Sequence, residues 1–392
     1  MKTAASVFCT LALLVGLRGP SPAASVAGPP YEINVLVPLT GGGAFLGKSY
    51  TESFRALEIA VNASGGIQGH PLKFILNDTQ TSPQTGLQIV NGLIAKHVAL
   101  FIDGGPSTVC LSTVPIVLKS GPVDYCLSPV IHPPAGSFVF SSSVSNADQA
   151  KTGVRYLRER GWTRIAMITS TDSTGEDYER QTDAALQLPE NKNVQIVDRQ
   201  HFNPTDVSAA AQIAHIKASG AQAVLAWTTG TPLGTVLRGV KDVGLELPLE
   251  TAASNMTYAQ MAAYANIMPK ELYFTALLAI TPGGTRKGPL HDAQAAYDSA
   301  FKAINVRPDE GHILAWDPSM ILVDALRHLG TNATAEQIRN YVVHLHGWVG
   351  INGVYDFGAG DQRGINDNAS AIARWDETKG TWVRVSKPRG FL

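Results

Sequence analysis

Short apolar runs alternate with amphipathic helical stretches along most of this chain, and that alternation leaves few folds open. Residues 33–38 read as a strand, and 49–63 as a helix with Phe54, Leu57, Ala60 and Val61 on one stripe. Gly65 and Gly66 stop that helix. A strand over 72–76 follows, then a helix over 83–96 with Pro83 suited to its first turn. Residues 98–102 and 123–126 read as strands flanking a helix over 107–119. A second series repeats the design, with helices over 148–160, 176–188, 208–219 and 232–243 and strands over 164–168, 195–198, 223–226 and 249–251. Such repetition is the signature of a mostly parallel sheet covered on both faces, so the fold class is α/β with two successive lobes. The remainder differs: a strand over 272–275, helices over 290–304, 311–329 and 335–345, and β-like alternation over 354–385. These pieces are too few for a third domain and are expected to return and complete the two lobes.

The 392 residues, 44% of them hydrophobic, suffice for a large core in about two domains. Lys and Arg number 31 against 32 Asp and Glu, so no basic surplus points to nucleic acid. The N-terminus carries Lys2, an apolar run over 4–17, and the small residues Ser25-Val26-Ala27. This is the pattern of a cleaved signal peptide over residues 1–27, and the run is shorter than the roughly 20 residues a spanning helix needs. Cys9 lies inside the run rather than after it, which disfavours a lipid anchor. The mature chain is expected to be periplasmic. Export leaves Cys110 and Cys126, for which an oxidising compartment permits a disulfide; two buried free thiols are the alternative.

Several strands end in loops rich in small hydrogen-bonding residues: Gly104-Gly105-Pro106-Ser107-Thr108, Leu127-Ser128-Pro129, Thr171-Asp172-Ser173-Thr174-Gly175, Trp227-Thr228-Thr229-Gly230 and Ser254-Asn255. Ligands of open α/β sheets bind outside the carboxyl ends of the strands. Enzymatic signatures do not accompany these loops. Gly41-Gly42-Gly43 lacks the spacing of a dinucleotide turn, there is no G-x-S-x-G elbow, and His344 and His346 do not share a helix face as metal ligands would. The pattern fits holding a small molecule without an enzymatic step, with neither cofactor nor metal.

Residues 31–390 resemble the periplasmic solute-binding proteins of the branched-chain amino acid type, which serve ABC importers. The resemblance rests on Ile33-Asn34-Val35-Leu36-Val37-Pro38-Leu39-Thr40-Gly41 with Gly47, on Asn62-Ala63-Ser64-Gly65-Gly66-Ile67-Gln68-Gly69-His70-Pro71-Leu72, on Asn77-Asp78-Thr79-Gln80-Thr81-Ser82-Pro83, on the 104–108 loop, and on Gly353-Val354-Tyr355-Asp356-Phe357 with Trp375. It implies two Rossmann-like lobes with parallel sheets, joined by three crossovers, one lobe spanning 31–144 plus 276–350 and the other 145–275 plus 351–392. It also implies a ligand held between lobes that close over it, delivery to membrane permease subunits, and a monomer. A ligand-sensing subunit of a chemoreceptor or two-component system would use the same cleft.

By that resemblance Ser107 and Thr108 grip a carboxylate, helped by the free N–H groups of a helix start, and Ser128, Pro129 and Val130 form the neighbouring strand end. Pro129 offers no backbone donor. Ser173 and Thr174 occupy the loop where amino-acid binders often carry an aromatic residue. Trp227, Thr228 and Thr229 match a further contact loop, where Trp227 either stacks on ligand or packs the core. Phe45 and Leu46 are expected to supply an apolar wall. Ser254 and Asn255 stand about where amino-acid binders place the acid that pairs with the ligand's ammonium. The absence of an acid there favours an organic acid without an amine, aromatic acids included; an amino acid is the alternative.

Overall fold

The computed structural model describes residues 26–281, 287–358 and 360–392, so the expected signal segment lies outside them apart from its last two residues. The first lobe opens with β1 (Tyr31–Val37), α1 (Ala44–Ala63), β2 (Leu72–Asp78), α2 (Pro83–Ala95), β3 (Leu100–Asp103), α3 (Ser107–Val117), β4 (Val123–Cys126) and β5 (Val139–Ser141). Its five strands are parallel, in the order β2-β1-β3-β4-β5.

The chain then crosses to the second lobe: α4 (Asn146–Glu159), β6 (Arg164–Ser170), α5 (Ser173–Leu186), β7 (Gln195–Phe202), α6 (Ala210–Ala218), β8 (Ala223–Trp227), α7 (Thr231–Val243), β9 (Leu249–Thr251), α8 (Tyr258–Tyr264) and β10 (Leu272–Leu277). The strand order β7-β6-β8-β9-β10 repeats the winding of the first lobe. The chain returns as α9 (Pro289–Ala303), α10 (Glu310–Leu329) and α11 (Ala335–Val343), then as a hairpin of β11 (His346–Val349) and β12 (Val354–Asp356). Finally β13 (Ser370–Asp376) and β14 (Thr381–Arg384) add antiparallel strands beside β10.

The cores follow this path with one departure from expectation. Ile351, Tyr355, Phe357 and Ile365 pack with Val35, Ile313 and Leu322 in the core of the first lobe. The third crossover therefore lies between about 365 and 370, not at 351. Buried Asp317 explains why: its carboxylate accepts the N–H of Ile351 at 3.0 Å and the Tyr355 hydroxyl at 2.9 Å, which pins this segment to α10. Short β5 and β11, of three and four residues, and the seven-residue helix α8 escaped the pattern because such short segments carry little readable period. Helix α1 begins five residues earlier than its apolar stripe suggests. The histidines separate: His344 caps α11 and His346 sits on β11, its Nδ1 2.8 Å from Asp356.

Both sheets reverse their winding direction beside their first strand, and such switch points are where ligand crevices form. A glycine serves each of them. A Cβ on Gly47 would stand 2.1 Å from the Pro38 carbonyl oxygen, and one on Gly175 would stand 2.0 Å from that of Ser170. Only a residue without a side chain lets α1 and α5 start so close to the strands that feed them.

Cys110 on α3 and Cys126 on β4 are joined in a disulfide across 16 residues of sequence. Closing a loop of this length stabilises by about 3 kcal/mol. Replacing both cysteines with serine is expected to lower the denaturant midpoint accordingly. An unchanged midpoint under oxidising conditions would show that the bridge contributes nothing.

Candidate functional site

The loops after β1, β3, β4, β6, β8 and β9 converge on one cavity of about 430 Å³ between the lobes. On the first lobe, Ser107 and Thr108 open α3 immediately after β3, and their N–H groups have no acceptor within the helix. The Ser107 hydroxyl lies 3.0 Å from that of Ser128, so the two strand ends form one polar corner. Beneath it, buried Asp103 takes the N–H of Gly105 at 2.8 Å and the Thr113 hydroxyl at 2.9 Å, anchoring the turn that precedes α3. Burial raises the Asp103 carboxyl to about 6, although those two hydrogen bonds pull it down. Around the corner the wall is apolar: Phe45 and Leu46 from the first turn of α1, Leu127, Pro129, Val130 and, from α10, Leu314.

From the second lobe come Thr174, Thr229, Ser254, Tyr178 and Gln260. The Thr174 hydroxyl reaches across to Ser107 at 3.4 Å, and the Thr229 and Ser254 hydroxyls pair at 3.0 Å. Asp172 is the one charged residue among the described lining. Its Oδ1 caps α5, accepting the N–H of Gly175 at 3.0 Å and the Ser170 hydroxyl at 2.9 Å.

Four of the expected contacts sit elsewhere. Trp227 is fully buried, donates from Nε1 to Thr182 at 3.0 Å, and stacks on Tyr178 with centroids 4.4 Å apart. It backs the wall without forming its surface. Thr228 is buried as well, and the hydroxyls of Ser173 and Thr228 have no hydrogen-bond partner among the described residues. Asn255 is a brace. Its Oδ1 accepts the Gly230 N–H at 2.9 Å, and its Nδ2 donates to the Thr228 carbonyl at 2.8 Å and to Thr251 at 3.0 Å. Gln260 and Tyr264 take the Gly230 carbonyl, so both backbone groups of Gly230 are engaged and this glycine is held at φ +80°. Strand-end reasoning missed Tyr50, Tyr178, Gln260 and Leu314. The tyrosines belong to helix faces that read as core, and Leu314 comes from a helix far along the chain from the first-lobe loops whose wall it joins.

A family model described as periplasmic binding protein matches residues 30–381. The chain belongs to that family. Family members are substrate-binding proteins rather than enzymes, and their relatives are extracellular or periplasmic. No curated protein matches this binding protein. Solved structures share its fold at low identity. An extracellular ligand-binding receptor from Rhodopseudomonas palustris HaA2 is 17% identical, with a TM-score of 0.80 over 91% of this chain and 99% of that one. A branched-chain amino acid substrate-binding protein from Streptococcus pneumoniae, in complex with isoleucine, is 15% identical with a TM-score of 0.74, covering 91% and 99%. An ABC transporter solute-binding protein from R. palustris, in complex with benzoate, is 17% identical with a TM-score of 0.72, covering 91% and 95%. Among the described residues of this binding protein, no helix is long and apolar enough to cross a membrane.

Proposed function

We propose that this protein is the periplasmic solute-binding subunit of an ABC importer and that its ligand is a small organic acid with an uncharged, apolar body, aromatic acids included. The carboxylate docks on Ser107, Thr108 and Ser128, and the body lies against Phe45, Leu46, Val130 and Leu314. The second lobe closes with Thr174, Thr229 and Ser254, and the closed monomer is delivered to a permease. One observation carries the reading: a donor-rich corner at a helix N-terminus is flanked by an apolar first-lobe wall, and Asp172, the one charged residue among the described lining, already caps a helix. An amino acid would place its ammonium in that cavity with Asp172 as its one acidic partner. Binding that selects the closed arrangement is the usual way such clefts work.

The test is a thermal-shift panel of amino acids, aliphatic acids and aromatic acids, since a ligand that binds only the folded state raises the melting temperature. Organic acids are expected to give the largest shifts, and a larger shift from branched-chain amino acids would overturn the ligand class. Ser107→Ala is expected to weaken binding of the best acid by about 1.5–3 kcal/mol, because a donor to a charged group is lost. Unchanged affinity in calorimetry would remove Ser107 from the site.

A further inference from the structure

Arg363 is buried, and among the described residues no carboxylate pairs with its guanidinium. It donates instead to four backbone carbonyls. One terminal nitrogen reaches Ser142 at 2.7 Å and Ser143 at 2.9 Å; the other reaches Pro129 at 3.3 Å and Ile131 at 2.5 Å. The first pair lies in the first crossover, between β5 on one sheet and α4 on the other. The second pair flanks Val130 in the cavity wall. Arg363 itself lies between β12 and β13, at the approach to the third crossover.

Two further observations mark this as a built junction. Ser143 has φ +67°, a conformation uncommon outside glycine, and its carbonyl is one of the four acceptors. Neighbouring Gln362 donates to the carbonyls of Ser137 at 3.0 Å and Val139 at 2.9 Å, and its own carbonyl accepts the Ser141 N–H at 3.0 Å. Two adjacent residues thus seal the open edge of β5 and tie it to the ligand wall. Pro129 has no N–H, so this wall lacks one of the bonds that could otherwise order it.

We infer that Arg363 is a positioning residue for ligand binding, a guanidinium that locks the 129–131 wall to the first interlobe crossover so that the two hold one geometry. The inference rests on the cavity being the ligand site. A planar fork with five donors serves carbonyls on two sides at once, whereas a lysine presents its donors from a single nitrogen. Arg363→Lys therefore keeps the charge and loses the lock.

Hydrogen exchange on the full chain compares wild type, Arg363→Lys and Arg363→Met. Peptides covering 127–132 and 140–146 are expected to exchange faster together in both variants, while β1 and β6 stay as in wild type. Benzoate, the probe in calorimetry, is expected to bind about tenfold or more weakly to both variants, as for a lost charged hydrogen bond. Ile338→Ala, in the same core and outside the cavity lining, is expected to lower the melting temperature without either change. Faster exchange at 140–146 alone, or benzoate affinity equal to wild type, would overturn the role. If wild type itself does not bind benzoate, aromatic acids drop out of the proposed ligand class and the exchange comparison alone decides Arg363.

Discussion

Trp227→Ala will lower the free energy of unfolding by about 3–5 kcal/mol, the range for emptying a large aromatic site in a core. The residue ends β8 with no exposed surface, stacks on Tyr178 at an interplanar angle of 8°, and bonds Thr182 through its indole. Alanine would leave a void behind the cavity wall, and Tyr178 would lose the face that orients it. Trp227→Phe separates support from contact. It keeps a ring against Tyr178 and gives up one hydrogen bond, worth about 1 kcal/mol. Denaturant titration is expected to record that loss, while affinity for the best acid of the panel stays close to wild type. A phenylalanine variant of unchanged stability and sharply reduced affinity would put Trp227 on the ligand after all.

Stability is expected to fall as pH rises from about 5 to about 8.5, and Glu250 is one cause, beside Asp124 and Glu310, whose carboxyls burial also raises. Glu250 on β9 is buried beneath α4, and among the described residues both its carboxylate oxygens lack hydrogen-bond partners. Helix α4 passes so close that a Cβ on Gly153 would lie 2.2 Å from Glu250 Oε1. Burial pushes this carboxyl up from 4.5 to about 8. Between those two values the folded chain keeps a proton that the unfolded chain has released. Unfolding therefore releases protons, and raising the pH favours it, by up to about 1.4 kcal/mol per pH unit for one such group. Asp103 and Asp317, each raised to about 6 by burial, act in the same direction from 3.8 upwards. Glu250→Gln removes the share of this one group. Its melting temperature should vary less between pH 6 and pH 8, and should exceed that of wild type at pH 8.5. A variant that keeps the full wild-type slope, or a wild type more stable at pH 8.5 than at pH 5.5, would overturn this account.

How much of this was legible in the chain differs from element to element. The strand–helix alternation of both lobes is written in apolar periodicity, because a strand buried on both faces and a helix buried on one leave distinct local records. The start of α3, with Ser107 and Thr108, was legible for the same reason: a strand end followed by a helix start is a local event. Helix α5 begins at Ser173, three residues before the helix read from 176, so Thr174 was placed at the right strand end but in a loop. Trp227 and Asn255 were not. Trp227 ends a strand and Asn255 follows one, close to the lining residues, and only the packing of Tyr178 on one and the capture of Gly230 by the other assign them to support. Leu314, Gln260 and the carbonyl clasp of Arg363 join parts of the chain separated by up to more than two hundred residues, and no sequence window contains both partners of such a contact. The sequence by itself determined the α/β class, the two repeated windings and the hydroxyl-rich rims of the cleft. Tertiary structure alone decided which rim residues face the cavity and where the third crossover lies, because facing is set by long-range packing and by the burial of polar groups that must find partners far along the chain.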